Sequence, residues 1–191
     1  MNVQWTRTGR RLAVGLAATV VAALLPVAAL AATGTATIAA GSLGFVSTPP
    51  NVSFSATLNG LDQTVTTTQA LDVGDATGSG TGWNITATST TFTTGGGSPH
   101  LLSTSATSLS STPTDACDAS ATCTLATNSV TYPYVLPAAS TAPTATKMYS
   151  AAANTGLGNQ TVTPTWRLSV PASTYAGTYT STWTISLVSG P

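Results

Sequence analysis

The sequence predicts an all-β protein, an antiparallel β-sandwich of about seven to ten strands in an immunoglobulin-like or related Greek-key arrangement. Apolar and polar residues alternate along several segments, and no long stretch after residue 31 carries an apolar stripe at helical spacing. Residues 32–191 contain 37 threonines, whose β-branched side chains favour strands. Turn-forming clusters rich in Gly, Asn and Pro separate the alternating segments. Sheets with one apolar and one hydroxyl-rich face must pack face to face, which gives a sandwich.

The N-terminal residues 1–31 have the features of a signal peptide. Arg7, Arg10 and Arg11 form a cationic region, "LAVGLAATVVAALL" is an apolar core, and Ala29-Leu30-Ala31 has the small-x-small form of a cleavage site. No second apolar run is long enough to span a bilayer. We therefore expect cleavage after Ala31, a secreted chain without a membrane span, and a single domain over residues 32–191.

The charge of the secreted chain restricts its partners. Residues 32–191 hold two basic residues, Lys147 and Arg167, against five aspartates, which gives a net charge of −3. So few cations cannot neutralise a row of phosphates, so the composition argues against nucleic-acid binding. A partner must be held by hydrogen bonds, shape and apolar contacts.

The first two predicted strands follow a period of two. The segment "VSFSATL", residues 52–58, places Val52, Phe54, Ala56 and Leu58 on one face, which predicts a half-buried strand. The segment "WNITATSTTF", residues 83–92, begins in the same way, with apolar residues opposed by Asn and Thr. We expect one buried face in each strand.

The next two predicted strands lie near the C-terminus. In "TVTPTWRLSVP" the residues Trp166, Leu168 and Val170 alternate with polar ones, and Pro164 indicates an edge position or a bulge at the start of the strand. The last strand has the most regular pattern: alternate residues from Tyr179 to Leu187 form an apolar face, opposed by Thr and Ser. Deleting residues 177–191 should therefore unfold the domain.

Three further segments are less regular. Residues 95–113 have weak periodicity, which indicates a long surface connection. The segment "SVTYPYVLP", residues 129–137, is interpreted as a broken strand. The segment "TKMYSAAANTG" is ambiguous, and a short helical turn is compatible with it.

Cys117 and Cys123 are the two cysteines of the chain, and both follow the signal peptide. Because secretion leads to an oxidising compartment, a disulfide that closes the loop "CDASATC" is expected. A short loop predicts modest stabilisation. A redox or metal pair would call for a Cys-x-x-Cys spacing or a nearby His.

The sequence offers little for catalysis. His100 is the single histidine, it lies in a segment rich in Gly, Ser and Pro, and there is no Glu. No serine has the surroundings of a nucleophile elbow. Asp72 and Asp75 lie in an oxygen-rich loop that would suit calcium, but the spacing is not that of a known calcium loop and turn chemistry explains the residues. We predict a protein that is not an enzyme and has no cofactor and no metal.

Three tryptophans after the signal peptide allow two interpretations. Exposed indole rings stack on sugar faces, so Trp83, Trp166 and Trp183 could form a glycan platform. Alternatively, each ring fills space between the sheets, since each lies on the same face of its strand as Ile or Leu. The pattern favours the core interpretation.

Two Trp-x-Ile segments carry a family resemblance. A Gly-rich turn leading into a strand, "DATGSGTGWNITATSTTF", and the C-terminal "AGTYTSTWTISLVSGP" together resemble the WxL-domain proteins of Gram-positive cell surfaces. The motif positions are Trp83-Asn84-Ile85 and Trp183-Thr184-Ile185, with Ile where the family has Leu. The literal Trp-x-Leu match, Trp166 to Leu168, lies one strand before the last.

The resemblance implies a secreted, cell-wall-associated protein that binds peptidoglycan or another wall glycan non-covalently, often together with other surface proteins. An alternative is a structural or adhesive surface protein that acts by assembling with itself or with a protein partner. Low charge and Thr-covered strands motivate this alternative, because they leave sheet edges poorly protected.

Overall fold

The computed structural model describes residues 31–191, and β-strands are the regular structure that it contains there. The predicted signal peptide lies outside the described residues except for Ala31. Residues Ile38–Pro191 form one compact unit. Within the described residues no helix has the length and apolar character needed to cross a bilayer. The predicted all-β sandwich is confirmed.

Twelve strands occur in residues 31–191. They are β1 Leu43–Phe45, β2 Gln63–Thr68, β3 Leu71–Asp75, β4 Trp83–Thr90, β5 Thr107–Leu109, β6 Thr114–Cys117, β7 Tyr134–Val135, β8 Ala138–Ala139, β9 Thr146–Ala151, β10 Gly158–Thr163, β11 Thr165–Val170 and β12 Trp183–Ser189.

The first layer of the sandwich is a sheet whose ladder breaks in the middle. On one side of the break the order is β1-β3-β10-β6, and on the other it is β2-β11-β5-β7. The strands β2 and β3 follow each other in the chain, as do β10 and β11. The strand β3 pairs with β10, and β2 pairs with β11, both antiparallel. Pro164 has no N–H, so it interrupts the ladder, and the backbone N–H of Gln69 bridges the break by donating to the Pro164 carbonyl at 3.1 Å. Such breaks raise the strand number above the predicted range.

The second layer has β4 at its centre. The strand β12 pairs with β4 antiparallel over its whole length, and β8 and β9 pair with the other side of β4. The core between the layers contains fully buried side chains from both, including Leu71, Val162 and Trp166 from the first and Trp83 and Ile85 from the second. A smaller apolar cluster lies around Leu102, Ala106, Leu168 and Val170.

Residues 52–58 are not a strand, so that prediction is wrong. Val52 and Phe54 are partly buried between exposed neighbours, which produces the period of two, but no residue of the segment joins a ladder. Gln63 Nε2 donates to the Thr57 carbonyl at 3.0 Å, a side-chain bond in place of a backbone pair. Alternation therefore records apolar contact here and not sheet pairing.

Of the two alternatives that Pro164 indicated for this strand, the edge position is excluded, because β11 lies between β2 and β5. Pro164 does stand at the start of the strand, where the ladder breaks. The face of β4 that carries Asn and Thr is covered by other residues and is not open to solvent. Thr88 on this face is buried, and its hydroxyl donates to the Pro143 carbonyl at 2.8 Å.

All three of the less regular segments contain strands. The predicted surface connection 95–113 includes β5, with Thr107 and Leu109 buried. The ambiguous segment after residue 145 is the strand β9 and contains no helical turn. The broken strand before Pro137 is confirmed as the two-residue β7. In the last segment the ladder begins at Trp183, and Tyr179 lies before the strand.

The disulfide between Cys117 and Cys123 is confirmed, with a Cα–Cα distance of 5.6 Å. It closes a short loop at the end of β6. The next residue, Asp118, donates its backbone N–H to the Asn159 carbonyl at 3.1 Å, so the loop is tied to β10.

Candidate functional site

Two of the three tryptophans are structural. Trp83 is fully buried at the start of β4, and its indole Nε1 donates to the Gly156 carbonyl at 2.8 Å. Gly156 has a positive φ of 75°, and a Cβ placed on it would lie 2.5 Å from that same nitrogen. This glycine is therefore required both by its backbone conformation and by the indole packed against it.

Trp166 is fully buried in β11 and is held by Gln69. Its Nε1 donates to Gln69 Oε1 at 2.9 Å. The amide Nε2 of Gln69 donates in turn to the Pro50 carbonyl at 2.7 Å. One glutamine thus satisfies a core indole and fixes the backbone at Pro50.

Trp183 differs from the other two because it is only partly buried. The Trp166 ring contacts it edge to face, with centroids 4.9 Å apart and an interplanar angle of 80°. Phe92 packs edge to face on it at 6.4 Å. In residues 31–191 the indole N–H of Trp183 has no hydrogen-bond partner. The ring is held firmly by aromatic contacts while part of its surface remains accessible.

Trp183 lines a groove with a volume of about 760 Å³. We call this the Trp183 groove. One wall is residues 48–53, the other is residues 179–185, and Gln69 and Phe92 complete the lining. The hydrogen bond from Gln69 to Pro50 fixes the first wall, and the pairing of Thr180 with Thr93 and of Thr182 with Thr90 fixes the second.

The chemistry of the Trp183 groove is neutral and rich in hydroxyls. None of its lining residues carries a charge. Thr180, Thr182, Thr184 and Asn51 are exposed and can donate and accept hydrogen bonds. Tyr179 and Trp183 supply aromatic surface. A partly buried indole surrounded by neutral polar groups suits a ligand that has an apolar face and many hydroxyls.

A second, more apolar groove of about 660 Å³ lies on the other side of residues 52–54. It runs along the small apolar cluster and is lined by Phe54, Leu58, Val65 and Tyr175 among others. Phe54 packs edge to face on Phe92 at 6.2 Å, so these two rings stand between the grooves. The residues that line both grooves are Val52, Ser53, Phe92 and Tyr179.

The two motif segments lie side by side in neighbouring strands. The registers of β12 and β4 pair Ile185 with Ala87 and Leu187 with Ile85. Asn84 Nδ2 donates to the Gly190 carbonyl at 2.7 Å, which ties the chain after β12 to β4. Thr184 is exposed, Ile85 is fully buried, and Ile185 is partly buried. Leu168 belongs to the small apolar cluster, away from both motif segments.

The titratable residues do not form a recognisable catalytic group in the described part of the chain. His100 is exposed and stacks on Tyr175 with centroids 3.8 Å apart. Burial, followed by the nearby charge of Asp118, raises the pKa of Asp72. Burial raises the pKa of Asp115, although one of its oxygens accepts a hydrogen bond from the Ala126 N–H at 2.9 Å. Over residues 31–191 no three His, Cys, Asp or Glu side chains come together as metal ligands.

Sequence reasoning missed the residues that complete the Trp183 groove. Gln69 stands alone between two strands and gave no signal. Pro50 belongs to the turn-forming cluster "STPPN", and nothing in the sequence indicated a further role for it. Phe92 ended an alternating segment, but a period of two places it on the face of Asn84 and not on that of Trp83, so the alternation pointed away from the groove.

Comparison of the sequence with family models and with curated proteins, and of the structure with solved structures, found no match.

Proposed function

We propose that this chain is a secreted, non-enzymatic surface protein that binds a cell-wall glycan, with peptidoglycan as the first candidate, through the Trp183 groove. The observation that carries the proposal is the state of Trp183: its ring is fixed by Trp166 and Phe92, yet it is partly exposed, and its indole N–H has no partner among residues 31–191. The signal peptide and the WxL resemblance of the sequence supply the wall as the setting.

The groove matches the chemistry of a sugar ring. A pyranose has a face of C–H groups, which can pack on an indole, and a rim of hydroxyls and amides, which can hydrogen-bond to Thr180, Thr182 and Asn51. The binding surface is fixed before the ligand arrives, so little side-chain entropy is lost on binding. Because the lining holds no charge, the affinity should change little with salt.

The test is co-sedimentation of the secreted chain with purified peptidoglycan, beside walls that keep their accessory polymers. We expect the protein in the pellet at low and at moderate salt. The variant Trp183→Leu should bind about tenfold more weakly, a loss of about 1.4 kcal/mol, because it removes the flat ring and the N–H while keeping an apolar side chain.

Tyr175→Leu is the matched control. Tyr175 is 64 % exposed and lies outside the Trp183 groove, so this variant removes an accessible aromatic ring without touching the proposed site. Its binding should equal that of the unmodified chain. The proposal fails if the unmodified protein stays in the supernatant, or if both variants lose binding equally while remaining folded by circular dichroism.

A further inference from the structure

The strand β12 is the longest strand at the edge of a sheet in the described residues, and its outer side is unpaired. The bonds from Thr90 N to the Thr182 carbonyl and from Gly190 N to the Gly82 carbonyl show which residues of β12 face β4. By the alternation of an antiparallel ladder, the backbone groups of Trp183, Ile185, Leu187 and Ser189 point away from β4. These four residues form an open row of donors and acceptors.

The side chains beside this row are incompletely covered. Trp183, Ile185 and Leu187 are on the apolar face of β12, and all three remain partly exposed. The strand β1 lies close to β12, but no strand of the described residues pairs with its outer side. The opposite face carries exposed Thr184, Ser186 and Val188. Natural edges are usually protected by Lys, by Pro or by a bulge, and β12 has none of these.

A segment of this chain has the sequence that such an edge would accept. Residues 32–40, "ATGTATIAA", are exposed throughout and belong to no strand. Ile38 is 94 % exposed, the highest value among the large apolar residues that the structure describes. Alternation gives the segment one face of Ala, Gly and Ile and another of mostly Thr, the same division as in β12.

The length and the charge of residues 32–40 also fit pairing with β12. Nine residues extend over about 30 Å, which exceeds the seven-residue β12 at about 3.3 Å per residue. The segment has no charged side chain and no proline, the residues that most oppose pairing at a sheet edge.

We propose that residues 32–40 of one copy pair as an added strand with the open edge of β12 in a second copy. The added backbone would pair with the free groups of Ile185, Leu187 and Ser189, and Ile38 would cover apolar surface beside β12. The contact joins two different surfaces, so repetition of it gives open chains of molecules unless the geometry closes a ring. The proposal concerns assembly and does not depend on the glycan site.

The test is sedimentation velocity of the secreted chain from micromolar to millimolar concentration. We expect concentration-dependent association for the unmodified chain. Ile38→Lys alters the donor segment, and Ser186→Lys places a charge on the exposed face at the middle of the edge strand. Each variant should weaken association about tenfold or more. Thr64→Lys, on the exposed face of the edge strand β2, is the matched control and should associate like the unmodified chain.

Complementation separates this assembly from a loss of folding. Ile38→Lys retains an open edge and Ser186→Lys retains a donor segment, so a mixture of the two should form a one-to-one complex that neither forms alone. A synthetic peptide of residues 32–40, added to Ile38→Lys, should slow hydrogen exchange at the Ile185 and Leu187 amides. A monomer at every concentration, or an equal effect of Thr64→Lys, overturns the proposal.

Wall binding is measured on the same variants. Ile38→Lys leaves the Trp183 groove intact and should still sediment with peptidoglycan. If Ile38→Lys is monomeric and binds walls, assembly and glycan binding are separate properties. If the unmodified chain associates but does not bind walls, the glycan proposal alone fails.

Discussion

Gln69→Leu tests the link between the core and the Trp183 groove. Gln69 is 3 % exposed and makes two hydrogen bonds, one from Trp166 Nε1 and one to the Pro50 carbonyl. Leucine has a similar size but can make neither bond, so an indole N–H and a carbonyl lose their partners. The change therefore affects a buried tryptophan and one wall of the groove together.

The expected cost follows from these two groups. The fully buried Trp166 N–H costs about 1–3 kcal/mol without a partner, the part-buried Pro50 carbonyl costs about 1 kcal/mol, and the apolar leucine side chain returns about 1 kcal/mol. We expect a net loss of about 1–3 kcal/mol in the free energy of unfolding. For a domain of this size that corresponds to a fall in Tm of about 2–12 °C.

The assay is urea unfolding followed by tryptophan fluorescence, together with peptidoglycan co-sedimentation. Gln63→Leu is the matched control, since Gln63 makes a single exposed hydrogen bond to Thr57. It should cost less than about 1 kcal/mol and leave wall binding unchanged. Equal midpoints for Gln69→Leu and Gln63→Leu would refute the reasoning.

Three further predictions concern stability. Gly156→Ala should lower the free energy of unfolding by about 2–4 kcal/mol, because its Cβ would collide with the Trp83 indole; unchanged thermal unfolding would contradict this. Replacing Cys117 and Cys123 by Ser should cost about 2 kcal/mol in chemical denaturation, the entropy of a short loop; complete unfolding would contradict it. Burial raises the pKa of the Asp115 carboxyl in the folded chain above its ordinary value of 3.8. The unfolded chain therefore loses this proton at a lower pH than the folded chain, and the free energy of unfolding falls as the pH rises from 3.8 to the folded pKa. Asp115→Asn should flatten that part of the profile, and an unchanged slope between the two proteins would contradict the assignment.

The sequence predicted the fold well where alternation and pairing coincide. The strands β4, β11 and β12 were found from their period of two, and the disulfide from the single pair of cysteines together with the predicted secretion. Alternation failed in residues 52–58, because apolar side chains at every second position also suit an extended segment that packs on two aromatic rings without a ladder. Alternation shows that every second side chain contacts apolar surface. Whether the segment is a strand depends in addition on a neighbouring strand with which its backbone can pair.

The groove was harder to predict because its parts are distant in sequence. The three tryptophans looked alike in the sequence, since each alternates with Thr or Ser beside Ile or Leu. Their difference depends on position in the sheet: β4 and β11 are central, whereas β12 is at an edge, so Trp183 alone stays partly exposed. Strand order comes from long-range pairing, which local periodicity does not contain.

The position of β12 in the second layer also bears on how the chain is made. The central strand β4 obtains its neighbours from residues 138–151 and 183–189, so one of its sides has no partner until β12 is available. Long-range pairing of this kind is slow compared with local turns. The second layer of a chain with this topology cannot be completed before residues 183–189 have been synthesised, so the strand that closes this layer is also the last of the twelve described strands to be made.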